Sequence, residues 1–206
     1  MLMLMLMLYW LELELGNLLG QGGFCDVFEV SKISLREDNP ATSPKSFVED
    51  EEDIEDKFRQ VNFVQDREFI STRYLRKRKD GHTDARYAMK KLGRHSLNDP
   101  HRYVAAVIDL AFEARFLSVL RHPNIIKMRA VAVSSPHDTG FFIILDRLYD
   151  TLSDRIQSWK AKSKKLSGFQ SVVLDIKGSK KRNFLMERIM IACDISTALS
   201  YLHSMK

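Results

Sequence analysis

The 206-residue sequence predicts an α+β fold, in which a five-stranded antiparallel sheet and one long helix are followed by further helices. Alternating apolar and acidic residues over Leu11–Leu15 are typical of a strand with one solvent-facing side. A helical period extends from Pro100 to Leu120. A second helical repeat of apolar residues continues to the end of the chain. These patterns predict a sheet domain over residues 11–148 and a helical region over residues 149–206.

A β-hairpin with a glycine-rich tip is predicted first. Residues 1–10 are a low-complexity run of methionine and leucine, which either extends the first strand or reflects a wrongly assumed translation start. The turn Gly20-Gln21-Gly22-Gly23 then leads into a second strand at Phe24–Val30. Because glycine has no side chain, we expect this tip to be flexible.

Residues 31–84 show no sustained period and are predicted to form a largely disordered insert in the sheet domain. Seven acidic residues occupy the eight positions 49–56, and a basic run lies at 76–79. These runs could pair with each other or with partners, but solvated loop charge is the simpler interpretation. The basic run matches a nuclear-localisation signal only weakly.

The remaining elements follow from local patterns. Asp99 and Pro100 are expected to be the N-cap and the first residue of the long helix. That helix is expected to end at Arg121–Asn124, because proline restricts the residue before it. Further strands are predicted at 85–92, 125–133 and 140–148, and further helices at 150–160 and 185–202. Residues 162–182 are polar and show no regular pattern.

Composition narrows the classes of partner. The formal charge of +5 is mild and spread over separate runs, so no nucleic-acid partner is expected. Cys25 and Cys193 lie far apart without metal-ligand spacing, so neither a disulfide framework nor a metal site is expected. This cysteine usage favours an intracellular, cytoplasmic or nuclear location. The opening apolar run of 11 residues is shorter than the roughly 20 residues of a membrane span, so no membrane partner is expected.

Two charged residues stand out because both are expected to be buried. Four apolar residues lie three, four or seven positions from Glu113 on the long helix, namely Ala106, Leu110, Leu117 and Leu120. Lys90 shares a face of its strand with Ala88 and Leu92. Because a buried charge needs a partner, the two residues are predicted to pair. The alternative is a lysine at a strand end and a glutamate at the edge of the apolar stripe, without function.

The order of these motifs resembles that of eukaryotic protein kinases of the serine/threonine type, from about Leu15 to the last residue. GQGGFCDV at residues 20–27 is similar to the family's GxGxxGxV loop, with Cys25 in place of the third glycine. Lys90 of YAMK matches the lysine that holds the ATP phosphates, and Glu113 matches the helix glutamate that orients it. HPNI at 122–125 is similar to the turn after that helix. The resemblance implies a kinase-like N-lobe, a hinge and the first C-lobe helices.

ATP is the ligand that the resemblance implies, with Lys90 and Glu113 as the catalytic residues. The nucleotide would contact the glycine-rich loop, aliphatic walls and a hinge, and for each wall residue plain core packing is the alternative. The implied binding residues are Leu19, Gly20, Gln21, Gly22, Gly23, Phe24, Val27, Ala88, Lys90, Leu145 as gatekeeper, Asp146 and, at the hinge, Leu148.

Neither the HRD motif nor the DFG motif of that family occurs in the 206 residues. In that family the residues that hold Mg²⁺ lie in the DFG motif and in the loop that begins with HRD. Mg²⁺ is therefore expected only in a complete domain. We therefore expect this chain by itself to bind ATP without transferring phosphate. The protein substrate is not predicted. The alternative is a non-catalytic, pseudokinase-like module or decoy that binds a partner through the Glu113 helix or the charged insert.

Overall fold

The computed structural model describes residues 6–35, 65–78, 80–167 and 179–205 and has the predicted α+β class. The chain forms two compact units. The first comprises Met1–Leu120 and Ile126–Arg147, and it contains the sheet and the long helix. The second comprises Arg121–Ile125 and Leu148–Lys206, and its described elements are helical.

The sheet of the first unit has six strands. They are β1 (Met7–Leu8), β2 (Leu13–Gln21), β3 (Cys25–Ile33), β6 (Tyr87–Leu92), β7 (Met128–Ala132) and β8 (Phe142–Asp146). Their order is β1-β7-β8-β6-β3-β2. The five predicted strands pair antiparallel, but β1 runs parallel to β7. The prediction of a five-stranded antiparallel sheet is therefore wrong by one strand, and the sheet is mixed.

The long helix packs on this sheet. It is α3 (Pro100–Val119), preceded by the short α2 (Arg94–Leu97). The predicted N-cap is confirmed, because an Asp99 carboxylate oxygen accepts hydrogen bonds from the N–H groups of His101 (3.0 Å) and Arg102 (3.3 Å). The helix buries a stripe of four apolar residues, namely Ala106, Val107, Leu110 and Ala114. Burial of this stripe stabilises the helix against the sheet.

The N-terminal strap, residues 6–12, differs from the expectation that residues 1–10 extend the first strand. After β1 the chain makes a 3-10 turn at Trp10–Glu12 and only then enters β2. Leu11 is 73% exposed, whereas Glu12 is 1% exposed, the reverse of a strand with acidic residues on its wet side. The reversal has a physical cause: the Glu12 carboxylate is paired with Arg67 at 2.5 Å in the interior.

The second half of the predicted insert is ordered, which corrects the expectation of disorder for those residues. Residues 65–72 form a helix, α1, and β4 (Leu75–Lys77) pairs with β5 (Thr83–Ala85) in a separate hairpin. Ile70 of α1 is 5% exposed and belongs to the hydrophobic core. Residues 36–64, with the acidic run, and residue 79 lie outside the described residues.

The second unit contains α4 (Leu152–Ser167) and α5 (Ser179–Ser204), both longer than predicted. The turn at residues 121–125 packs against α5. The Asn124 side-chain amide donates to Asp194 Oδ1 (3.1 Å) and Thr197 Oγ1 (3.2 Å). The His122 ring stacks on Tyr201 at a centroid distance of 5.2 Å. These contacts explain why residues 121–125, which directly follow α3 in the chain, belong to the second unit.

Candidate functional site

One face of the sheet carries four of the residues singled out by sequence. Val27 of β3 lies directly opposite Lys90 of β6, and Ala88 of β6 lies opposite Leu145 of β8. Directly opposed residues of antiparallel strands point to the same face, so these four side chains share it. Gly20 of β2 pairs with Val27 of β3, which places the glycine-rich turn next to these residues. Ala88 and Leu145 are buried, and Val27 is half-buried.

Lys90 and Glu113 form the ion pair expected from the sequence. The Lys90 ammonium donates to Glu113 Oε2, and the contact joins β6 to α3. Their side chains are 22% and 29% exposed, so the pair is half-buried and still open to solvent. A lysine ammonium has three donors. The hydrogen bond to Glu113 therefore leaves donors on Lys90 that can bind an anion.

The glycine-rich turn leaves open space beside its backbone. The Gly22 N–H donates to the Cys25 carbonyl at 2.7 Å, which closes a tight turn between β2 and β3. A Cβ atom added at Gly20 or at Gly23 would meet no atom within 4 Å. Of the described glycines, only Gly81 has a positive φ, so backbone conformation does not require glycine at these sites. What glycine provides there is access to the backbone for another molecule.

The tip of this turn is held by hydrogen bonds from outside the hairpin. The carbonyl oxygens of Gly23 and Phe24 each accept two hydrogen bonds from the segment after β6. The donors to Gly23 are His95 Nε2 (2.8 Å) and Arg102 Nη2 (2.9 Å), and those to Phe24 are Ser96 Oγ (2.9 Å) and the Gly93 N–H (2.9 Å). Sequence reasoning missed these donors because no local pattern connects them with residues more than 65 positions away.

Cys25, at the position of the third glycine, is a strand residue with a buried side chain. It is 4% exposed, and this burial raises the pKa of its thiol from 9.0 to about 11, although the nearby Lys90 ammonium opposes the rise. The thiol is therefore protonated at neutral pH. A protonated, buried thiol is a poor nucleophile, so Cys25 serves packing at this position.

The segment at the end of β8 is divided between the two units. Asp146 of the first unit accepts a bidentate ion pair from Arg129, with both N–O distances 2.7 Å, and its N–H donates to the Lys127 carbonyl at 3.1 Å. Leu148 opens the second unit and is 72% exposed. Leu19 is 38% exposed at an irregular register between β2 and β3.

Gln21 and Phe24 of the predicted loop face different surroundings. Gln21 is exposed and pairs across the hairpin with the buried Asp26. Phe24 packs against the hydrophobic core. Phe24, one of the six loop residues assigned to the site, therefore acts at least partly as a core residue.

The described residues set limits on the site's chemistry. Within the described ranges, no three His, Cys, Asp or Glu side chains are grouped so that they could hold a metal ion. None of the described helices is both long and apolar enough to cross a bilayer.

No protein-family model matches the chain, and no curated protein shows significant sequence similarity to it. Among the described residues, the arrangement of Lys90, Glu113 and the glycine-rich turn is the feature that bears on function.

Proposed function

We propose that this chain is the ATP-binding part of a serine/threonine protein kinase and that it binds ATP on the sheet face carrying Lys90. One observation carries the proposal: the strand lysine is paired with the helix glutamate on the face bordered by the glycine-rich turn. In protein kinases, this pair positions the lysine on the ATP phosphates. The proposal predicts that nucleotide binding depends on the Lys90 ammonium.

The phosphates of the nucleotide would interact with Lys90 and with the turn. Glu113 orients the ammonium, and the remaining donors can make charge-assisted hydrogen bonds to phosphate oxygens. The open space beside Gly20 and Gly23 allows an anion to approach the backbone closely. Charge and access are both needed, because a phosphate chain must be neutralised and also enclosed.

The adenine ring would lie on the apolar part of the same face. Ala88 has the smallest apolar side chain that keeps a Cβ, so a flat ring can approach β6 at that point. Leu145 of β8 lies opposite Ala88. Val27 of β3 lies opposite Lys90, which is two residues after Ala88 on β6. A planar apolar ligand is bound mainly by burial against such aliphatic walls.

Phosphoryl transfer needs more than these residues. Catalysis by protein kinases depends on a catalytic-loop base and on Mg²⁺ held by the DFG aspartate and a catalytic-loop asparagine. The 206 residues contain neither motif. We therefore propose nucleotide binding for these residues, and transfer to protein hydroxyl groups, with Mg²⁺, only for a domain that also carries those motifs.

The experiment is a titration of the 206-residue chain with a fluorescent ATP analogue, with displacement by ATP. Lys90→Ala should weaken binding at least about tenfold, because it removes a charge-assisted contact. Lys91→Ala is the matched control, since Lys91 points to the opposite face and lies over the Trp10 ring at 4.5 Å. Circular dichroism should show that both variants remain folded. The absence of ATP binding by the unchanged chain at millimolar concentration would refute the proposal.

A second candidate function is a non-catalytic interaction module. It is favoured by an exposed apolar stripe along α3, whose members are each 48–62% exposed: Val104, Ile108, Phe112, Phe116 and Val119. The two candidates respond differently to mutation. Lys90→Ala should leave partner binding intact, whereas Phe112→Asp with Phe116→Asp should abolish it. Loss of ATP binding in Lys90→Ala, with no partner bound by the unchanged chain, would support the nucleotide-binding function alone.

A further inference from the structure

The hydrogen bonds at the tip of the glycine-rich turn connect it to the helix that carries Glu113. Arg102 lies in the first turn of α3 and donates from Nη2 to the Gly23 carbonyl at 2.9 Å. Arg102 and Glu113 are eleven residues apart, which is about three helical turns, so both lie on the same side of α3. One helix therefore contacts both the tip of the turn and Lys90.

His95 provides a second hold on the same oxygen. Its Nε2 lies 2.8 Å from the Gly23 carbonyl, which can only accept, so Nε2 carries the proton in this hydrogen bond. The imidazole reaches that position by lying over Gly93. A Cβ atom at residue 93 would be 2.7 Å from His95 Cε1 and 3.2 Å from Asp26 Oδ1. Glycine at this position is thus what allows the imidazole to approach the turn.

We propose that Arg102 and His95 are positioning residues: Arg102 tethers the glycine-rich tip to α3, and His95 tethers it to the short α2 just before that helix. The inference rests on the proposed nucleotide-binding function, to which it adds two residues that act on the glycine-rich turn.

The tether also explains why a glycine-rich turn can be ordered before any ligand binds. An unrestrained turn must lose conformational freedom when it closes over a phosphate chain, and this loss weakens affinity. Two donors on the Gly23 carbonyl and two on the Phe24 carbonyl restrict the tip in advance. Loss of the tether is therefore expected to weaken nucleotide binding without removing any atom that contacts the nucleotide.

The test combines backbone dynamics with affinity in the full chain. Order parameters from ¹⁵N relaxation should be about 0.8 or higher for Gly22, Gly23 and Phe24, and should fall below about 0.6 in Arg102→Ala. The affinity for a fluorescent ATP analogue should fall about threefold to tenfold. Arg102→Lys, which keeps a cationic donor, should restore part of both. Arg115→Ala is the matched control, because Arg115 is an exposed arginine on the same helix.

His95→Ala and Gly93→Ala give an independent route if Arg102→Ala does not fold. Both should loosen the tip, the second by displacing the imidazole. Unchanged order parameters in the Arg102 and His95 variants would overturn the tether. A loosened tip with unchanged ATP affinity would overturn the positioning role. A loosened tip in a chain that binds no ATP even when unchanged would support the tether and refute the proposed function, so the two failures are distinguishable.

Discussion

Two of the ion pairs that join distant parts of the first unit differ in how far water reaches them. The pair between Glu12 and Arg67 has side chains 0% and 2% exposed, whereas the pair between Lys90 and Glu113 has side chains 22% and 29% exposed. Both connect a strand region to a helix. A ligand can bind only donors that solvent can reach. The Lys90–Glu113 pair, the half-open pair, therefore suits recognition, and the Glu12–Arg67 pair, the buried pair, suits structure.

Hydrogen bonding within each pair supports this distinction. The Glu12 carboxylate also accepts from the Tyr9 N–H at 2.9 Å, and Arg67 Nη1 donates to the Met7 carbonyl at 2.6 Å. The buried pair thus fastens the N-terminal strap to α1 with its polar groups engaged, as buried charges require. Lys90, in contrast, has further ammonium donors beyond the one that binds Glu113. The comparison can be tested by measuring how much stability each pair contributes.

The largest effect is expected at the buried pair. Arg67→Ala should lower the free energy of unfolding by about 3–5 kcal/mol, because it leaves the Glu12 carboxylate buried without its cation. Urea denaturation followed by circular dichroism measures this. Replacing both residues, Glu12→Leu with Arg67→Leu, should be less damaging than Arg67→Ala, since no charge remains buried. A loss below about 1 kcal/mol in Arg67→Ala would show that the strap pair is no more structural than a surface pair.

A smaller effect is expected from Cys25, on the same sheet face as the half-open pair. The unfolded thiol releases its proton near pH 9.0, but the folded thiol does so only at about pH 11. The folded state therefore holds the proton more tightly, and stability should fall by about 1–2 kcal/mol as pH rises through this window. Comparison of urea midpoints at pH 8 and pH 10.5 in the unchanged chain and in Cys25→Ala isolates this contribution. An equal decrease in both proteins would mean that water reaches the thiol.

The smallest effect on stability is expected at the half-open pair. Glu113→Gln should lower the free energy of unfolding by less than about 1 kcal/mol, because partial exposure weakens the ionic contribution. A double-mutant cycle with Lys90→Met measures the coupling between the two side chains. A coupling of several kcal/mol would contradict the comparison, since the two pairs would then be energetically alike.

Local patterns were sufficient for a large part of the fold. The β2 to β3 hairpin, the strands β6, β7 and β8, and the cap and apolar stripe of α3 each depend on neighbouring residues with the period of a strand or a helix. The pairing of Lys90 with Glu113 was predictable for the same reason. Each charge lies on a regular element beside apolar residues, where burial is expected, and a buried charge requires a partner.

Other features depend on partners that no local pattern reveals. Glu12 was expected on the wet side of a strand, but Arg67, 55 residues away, draws it into the interior. The order of α1 and of the β4–β5 hairpin was missed because charged, aperiodic segments resemble disordered chain in composition. The bound tip of the glycine-rich turn was missed because its donors lie 72 and 79 residues further along.

By itself, the sequence determined the α+β class, the main strands, the capped helix α3 and the lysine and glutamate that belong together. Only the tertiary structure decided that the strap and α1 share a buried ion pair, that β1 makes the sheet mixed, and that α3 also holds the glycine-rich tip. The physical reason is the distance along the chain between the residues that interact. Periodicity and capping arise between residues within a few positions, whereas burial of a charge is compensated by whichever partner the folded chain brings near.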